Sequence, residues 1–204
     1  YLVQNINMIK IIIFDGVNLI THQEPLSVGL ARDYGFSMGK MLPFFTGPLQ
    51  ECVAGKADLK EIFPPYLNDW GWNKGLDAML DYWFTRDHKI DTEMVSYIND
   101  LKNKGVLCLL ATNNEKHRFA YMLDKMNFSK IFNKAYCSAH LGCKKPNQDF
   151  YQKIFDDLEN IKKEEILFWD DKHENVEAAK TFGIQAELYT SFEDFKEKMK
   201  QYIL

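Results

Sequence analysis

The chain has 204 residues, of which 46% are hydrophobic and 26% are charged, a composition that excludes disordered and fibrous classes of protein. It has 25 Lys and Arg residues against 29 Asp and Glu residues and no basic block, so we expect no nucleic-acid partner. The first long apolar run, residues 11–14, is far below the ~20 residues of a membrane span, so we expect no membrane partner.

The four cysteines show neither a CxxC pair nor the spacing of a metal finger. This usage is typical of reduced thiols and predicts a cytoplasmic location. Met8 is a candidate natural start, which would leave residues 1–7 as an extension. The sequence gives no indication of the oligomeric state.

Short apolar runs alternate with helix-like stretches along most of the chain, which predicts a parallel sheet covered by helices on both faces. The first run, residues 9–14, is followed by a long interruption, and regular alternation resumes near residue 91. The predicted strands are 9–14, 106–112, 134–139, 166–171 and 184–189, and the predicted helices are 91–104, 115–126, 146–159 and 192–203.

Residues 21–89 interrupt this alternation. They contain no convincing strand, are punctuated by glycine and proline, and carry amphipathic pieces rich in Phe, Trp and Tyr. We interpret them as a helical lobe inserted after the first strand, with residues 1–20 and 90–204 forming the α/β core. Most of the lobe's aromatic side chains are expected to be core, and a minority to line a pocket.

Polar residues end several of the predicted strands, and ligands of such sheets bind outside the carboxyl ends of the strands. Taken alone, each of these residues is ordinary, because Asp, Asn and Thr commonly cap helices or form turns. The residues concerned are Asp15, Thr112, Asn113, Lys145, Asp170 and Asp171.

In chain order, these residues resemble the four motifs of the haloacid dehalogenase-like hydrolase superfamily. The most specific stretch is "ILFWDDKHENVEAAKTFGIQAELY", which is similar to the family's hhFhDDxxxNVxxAxxxGhxxhhh pattern. "LGCKKPNQDFY" resembles GxxKPxxxhY and makes Lys145, rather than Lys144, the motif lysine. The resemblance covers nearly the whole chain. It implies an α/β fold with a Rossmann-like parallel sheet and a small all-helical cap inserted after strand 1.

The first motif departs from the family. Phosphate-ester hydrolases of the family typically read hhhFDxDGT or hhhFDxDGV, whereas this chain reads Phe14-Asp15-Gly16-Val17-Asn18. One register makes Asp15 the nucleophile and places Val17 where the acid/base Asp stands. A second makes Asp15 the acid/base and Ile13 an impossible nucleophile, and a third assumes two absent residues. We favour the first, because the apolar run fixes the strand end.

The resemblance implies a Mg²⁺ ion held by Asp15, the Val17 backbone carbonyl, Asp170 and Asp171, with oxygen-only ligands as this cation prefers. Asp15 would form an aspartyl-phosphate, and Lys145 would offset negative charge. Thr112, Asn113 and the backbone amides near Glu115 would donate hydrogen bonds to a phosphate. The expected catalytic residues are therefore Asp15, Lys145 and Thr112, and the expected partner is a small phosphorylated metabolite.

Valine cannot protonate a leaving group, so the phosphatase is expected to be slow and to favour good leaving groups. The missing second aspartate leaves two other functions open. One is a catalytically silent relative that binds a phosphorylated ligand or a protein. The other is a 2-haloacid dehalogenase, which the Asp170 and Asp171 pair argues against, because clustered carboxylates without a cation oppose an anionic substrate.

Overall fold

The computed structural model describes residues 9–22 and 24–202. The predictions for residues 1–8 and for residue 203 lie outside the described residues. Within the described part the strands form one five-stranded sheet, and all neighbouring strands are parallel. The first strand of the chain lies at the centre of this sheet.

The strands are β1 (Ile11–Phe14), β2 (Leu107–Thr112), β3 (Lys134–Cys137), β4 (Ile166–Asp170) and β5 (Gln185–Leu188). They lie in the sheet in the order β3-β2-β1-β4-β5, so β1 lies between β2 and β4. The helices up to the second strand are α1 (Leu26–Tyr34), α2 (Met38–Thr46), α3 (Pro48–Val53), α4 (Leu59–Ile62), α5 (Pro64–Trp70), α6 (Leu76–Arg86) and α7 (Thr92–Asn103). The later helices are α8 (Lys116–Asp124), α9 (Phe128–Ile131), α10 (Ser138–Leu141), α11 (Gln148–Asp156), α12 (His173–Phe182) and α13 (Phe192–Met199). None of these described helices has the length and apolar character needed to cross a bilayer.

The two faces of the sheet carry separate apolar clusters, because successive strand residues point to opposite faces. Ile12 and Phe14 of β1 pack in a cluster with residues of α7, α8, α9 and α13. Ile11 and Ile13 pack in a second cluster with residues of α11 and α12. The predicted α/β fold, a parallel sheet with helices on both faces, is confirmed.

Helix starts differ by one or two residues from the predicted ones, and capping side chains explain the difference. The side chain of Asn147 accepts a hydrogen bond from Asp149 N at 2.9 Å, so α11 begins at Gln148 rather than at residue 146. The carboxylate of Glu115 accepts from the amide of His117 at 2.8 Å, so α8 begins one residue after it. A capping residue satisfies free amides of the first turn and stays outside the helix itself.

The lobe formed by α1 to α6 has an apolar core of its own. Phe44 and Phe63 are fully buried there, with ring centroids 4.5 Å apart. Among the aromatic residues of the lobe, Phe44, Trp70, Trp72, Trp83 and Phe84 belong to this core, and Phe45 packs against it. The lobe is therefore a packed unit.

The chain enters and leaves the lobe at neighbouring points. Thr21 forms isolated bridges with Val17 on one side and with Ile90 on the other. The amide of His22 donates to Lys89 O at 3.0 Å. Both connections thus lie together beside the end of β1, and we propose residues 21–89 as the extent of the lobe.

Polar contacts join the lobe to the core along α3, α4 and the loop between them. Ser138 Oγ donates to Val53 O at 2.7 Å. Asp58 contacts Lys116 Nζ at 2.6 Å and His117 Nε2 at 2.7 Å. Two hydrogen bonds, a larger contribution from Lys116 and a smaller one from His117, hold the pKa of Asp58 well below its usual range. These contacts hold the lobe against the start of α8 and against α10.

The backbone of Gly55 in the lobe packs against the backbone of Ala139 in the core. Gly55 has a φ of +74°, and a Cβ at this position would lie 2.1 Å from Ala139 O. We expect Gly55→Ala to destabilise the protein by about 1–3 kcal/mol more than Gly35→Ala. Gly35 has a φ of +69° and open space around it, so its replacement reports the backbone penalty alone. Urea unfolding of the two variants measures the difference, and equal stabilities would show that the lobe yields without cost.

Candidate active site

The parallel register brings the ends of three strands together. Phe14 of β1 pairs with Trp169 of β4 and with Leu110 of β2. The amide of Asp15 donates to Trp169 O at 2.9 Å. Asp15 and Asp170 therefore leave neighbouring strands at the same edge of the sheet.

Lys145 lies between these two carboxylates. Its Nζ donates to Asp15 Oδ1 at 2.6 Å, to Asp170 Oδ2 at 2.6 Å and to Ala111 O at 2.9 Å. All three N–H donors of the ammonium group thus have an acceptor. Relative exposures of 6% for Asp15, 3% for Lys145 and 0% for Asp170 show that the cluster is closed off from bulk water.

The remaining carboxylate oxygens are held by the loops that follow β1 and β4. Asp15 Oδ2 accepts from the amide of Val17 at 3.1 Å. Asp170 Oδ1 accepts from Lys172 N and Asn175 Nδ2, each at 2.9 Å. These bonds fix the orientation of both side chains before any ligand arrives.

Asn18 connects the loop that follows β1 to the loop that follows β4. Its backbone has a φ of 63°, a left-handed conformation that asparagine tolerates better than most residues. Its Nδ2 donates to Asp171 Oδ2 at 2.7 Å. This hydrogen bond holds Asp171 at the same edge of the sheet as Asp15. It uses only the Oδ2 atom of the Asp171 carboxylate.

The protonation of the cluster follows from burial and charge. Burial raises the pKa of Asp15 to about 6, with Lys145 opposing this rise and Asp170 and Asp171 adding to it. Burial alone would lower the pKa of Lys145, but Asp15 and Asp170 outweigh it, so the pKa is raised. Lys145 is accordingly a permanent cation between two carboxylates at neutral pH.

Thr112 ends β2 and Asn113 follows it, but their side chains are used differently. Thr112 is fully buried, and its Oγ1 has no hydrogen-bond partner in the part of the chain that the structure describes. The Asn113 side chain donates to Lys145 O and accepts from Lys145 N, both at 2.9 Å. The side chain of Asn113 therefore positions Lys145. The phosphate contact expected of Asn113 would then be made by its backbone N–H.

The expectation that amides near Glu115 are available to a phosphate is wrong. The carboxylate of Glu115 accepts from the amides of His117 and Arg118, and the amide of Asn114 donates to Ser138 Oγ at 3.0 Å. A buried acidic cap therefore occupies the place at the start of α8 that an anion would need. Burial raises the pKa of Glu115, against the hydrogen bonds from the two amides.

One cavity of about 250 Å³, which we call the carboxylate cavity, collects the polar residues at the strand ends. Its lining is rich in oxygen donors, which suit a hard cation such as Mg²⁺. Within residues 9–22 and 24–202, no three His, Cys, Asp or Glu side chains already stand at metal-ligand spacing. The cavity is lined by Asp15, Val17, Asn18, Asn113, Lys145, Asp170, Asp171, Lys172 and Asn175.

The family model of the haloacid dehalogenase-like hydrolases matches residues 57–188. The chain belongs to this family. The match runs from within the helical lobe to the last strand, and so includes Lys145, Asp170 and Asp171, whereas Asp15 lies before it.

Individual relatives of this haloacid dehalogenase-like hydrolase match it over part of its length. It is 34% identical over 95 residues to the sesquiterpene phosphatase astK of Aspergillus oryzae, covering 46% of this chain and 47% of that protein. It is 28% identical over 104 residues to the drimenol cyclase drtB of Aspergillus calidoustus, covering 50% of this chain and 20% of that protein. The chain thus matches less than half the length of either curated relative.

Solved structures share the fold across nearly the whole chain. The family enzyme bt-2542 of Bacteroides thetaiotaomicron, in complex with magnesium and inorganic phosphate, has a TM-score of 0.78 and 18% sequence identity to this hydrolase. The match covers 93% of this chain and 98% of that one. The two molecules therefore share the same fold.

Two contacts of the site were not predicted from the sequence. Arg118 of α8 is paired with Asp87, which follows α6, and both side chains are buried. Asn175 holds Asp170, and only its place in the fourth motif hinted at this contact. No spacing rule links Asp87 to Arg118, because their pairing depends on how the lobe docks against the core.

Proposed function

We propose that this hydrolase is a magnesium-dependent phosphatase that works through a covalent phosphate on Asp15. The observation that carries the proposal is the position of Lys145 Nζ, 2.6 Å from both Asp15 and Asp170 in the carboxylate cavity. A buried cation between carboxylates at this edge suits the binding of a phosphate, because it offsets part of the charge that a phosphate brings. The named activity of the sesquiterpene phosphatase relative supports phosphate-ester hydrolysis.

The residues lining the cavity fit a Mg²⁺ ion. Asp15, Asp170, Asp171 and the backbone carbonyl of Val17 would hold it, consistent with the magnesium and phosphate bound by bt-2542. When bound, the ion would reduce the repulsion between the carboxylates and a phosphate and would help to align the two. Without a bound metal ion, the three carboxylates have only Lys145 to offset their charge and oppose an anionic substrate, and this disfavours dehalogenase chemistry.

The side chains of this hydrolase have separate roles in the reaction. A carboxylate oxygen of Asp15 attacks phosphorus, and the P–O bond to the leaving group breaks with its electron pair going to the leaving oxygen. The positive charge of Lys145 offsets part of the negative charge on the phosphoryl oxygens, and the Thr112 hydroxyl donates a hydrogen bond to one of them. Water then hydrolyses the aspartyl-phosphate, which releases phosphate and restores Asp15. No carboxylate stands at residue 17 to protonate the leaving oxygen, so good leaving groups are favoured.

Hydrolysis of 4-nitrophenyl phosphate by the chain tests the proposal. We expect activity with Mg²⁺, its loss in EDTA, and a fall of about 10³-fold or more in Asp15→Asn. Asp124→Asn is the matched control, because that carboxylate has 75% side-chain exposure on α8 and lies outside the cavity. Equal activity of Asp15→Asn and the parent would refute the nucleophile. No activity across a broad phosphate panel would favour the silent binding protein instead.

A further inference from the structure

A second cavity of about 320 Å³ lies between the lobe and the core and adjoins the carboxylate cavity. We call it the apolar cavity. Val17 and Asn113 line both cavities, so the two meet at these residues. Its volume lies at the lower end of the range of ~300–1,000 Å³ typical of ligand pockets. A phosphate ester bound at Asp15 would therefore have room for its organic part on the far side of Val17.

The lining contributed by the lobe is almost entirely hydrocarbon. Phe45 and Trp83 extend from the packed core of the lobe into the wall of the cavity. Met38 and Leu42 of α2 line it while remaining 46% and 57% exposed. Large apolar side chains that are this exposed beside a cavity indicate a surface that a ligand covers. The other apolar lining residues are Val17, Pro25, Leu26, Leu49 and Val53.

Most polar residues of this wall already have partners within the protein. The carboxylate of Glu115 accepts from two backbone amides, and the side chain of Asn113 is bound to the backbone of Lys145. Asp87 Oδ1 has no hydrogen-bond partner among the described residues, but Arg118 neutralises the charge of this carboxylate. The wall thus presents few groups that would recognise a sugar or a nucleoside, since such ligands need several free donors and acceptors.

We infer that the apolar cavity holds a hydrocarbon group, and that the substrates of this site are phosphate esters with an extended apolar body. This inference rests on the proposed phosphatase function for the position of the phosphate. The lobe then acts as the specificity element of the site. Binding energy from the hydrocarbon group positions the phosphate against Asp15 and compensates in part for the missing acid at residue 17.

A series of 4-alkylphenyl phosphates with methyl, butyl and octyl chains tests this inference, with each compound kept below its critical micelle concentration. The leaving groups have nearly the same pKa, so only the apolar body changes. A buried methylene is worth about 0.8 kcal/mol, so kcat/KM should rise by about fourfold for each one until the cavity is filled.

Leu42→Asp is the variant of choice, because this exposed lining residue can be changed without opening the core. It should lower kcat/KM by at least tenfold for the octyl compound and by much less for the methyl compound, which has little alkyl chain to contact residue 42. Val28→Asp is the matched control, since Val28 is 41% exposed on α1 but does not line the cavity.

Phosphatase activity that is independent of chain length in the parent would overturn the inference and leave the proposed function intact. If no phosphate is hydrolysed at all, binding of octylphosphonate and methylphosphonate by calorimetry separates the two ideas. Tighter binding of octylphosphonate, weakened in Leu42→Asp, supports the cavity assignment without catalysis. Equal binding of both compounds, or none, refutes it.

Discussion

Replacing Val17 by aspartate is expected to raise kcat on alkyl phosphates by about 10²- to 10⁴-fold, the usual contribution of general acid-base catalysis. The amide of Val17 already contacts Asp15 Oδ2 at 3.1 Å, and residue 17 lines both cavities. A carboxyl group at this position would stand beside the oxygen that leaves phosphorus. The alkoxide of an alkyl phosphate is a poor leaving group and gains most from a proton.

Val17→Asn separates proton donation from polarity at this position. It offers hydrogen bonds of similar reach but no acidic proton, so the gain on alkyl phosphates should be absent. Aryl phosphates should respond little to Val17→Asp, because their leaving groups need little protonation. A parallel gain on both substrate classes, or an equal gain with asparagine, would show that residue 17 limits the rate in another way.

Replacing Lys145 by methionine is expected to abolish phosphatase activity and to destabilise the protein by about 3–5 kcal/mol. Methionine keeps much of the side-chain volume but removes the cation that contacts both Asp15 and Asp170. Two buried carboxylates would then face each other without a counter-ion. Urea unfolding in EDTA, together with the 4-nitrophenyl phosphate assay, measures both effects.

The loss of stability should depend on pH. The folded-state pKa of Asp15, about 6, is raised above its ordinary value of 3.8. The protonated form is thus favoured in the folded protein, and its contribution to stability is full below pH 3.8 and lost as the pH rises through 6. Removing Lys145 raises this pKa further, so Lys145→Met should be more destabilising at pH 8 than at pH 5.

A double variant distinguishes charge from packing. Adding Asp15→Asn to Lys145→Met removes one of the two unpaired carboxylates, so part of the stability should return at pH 8 while activity stays absent. If the double variant is as unstable as Lys145→Met at both pH values, lost packing of the lysine stem accounts for the effect. The lysine would then contribute through volume rather than charge.

The sequence was sufficient to predict which residues meet at the sheet edge. Asp15, Thr112 and Asp170 end or follow apolar runs, and parallel strands bring such ends together. The spacing of the third motif also separates Lys145 from Lys144. The structure places Lys145 between two carboxylates, whereas Lys144 Nζ donates to Gln50 Oε1 of the lobe at 2.7 Å.

Other features could not be predicted, because they depend on which partners each polar group finds in three dimensions. Nothing in the sequence indicates that the Asn113 side chain binds the backbone of Lys145, or that Glu115 takes the amides at the start of α8. The Asp87 and Arg118 pair and the apolar cavity arise only when the lobe docks on the core. Patterns of apolar residues specify elements, but not the contacts between separately packed units.

The neighbouring bridges at Thr21 have an evolutionary consequence. Because Val17 and Ile90 both pair with Thr21, the two ends of the intervening segment join the α/β scaffold at the same place. A different segment with similarly placed ends could be exchanged there without disturbing the strand order or the Lys145 cluster. Exchange of this segment would therefore change the substrate preference of the scaffold and preserve its reaction centre.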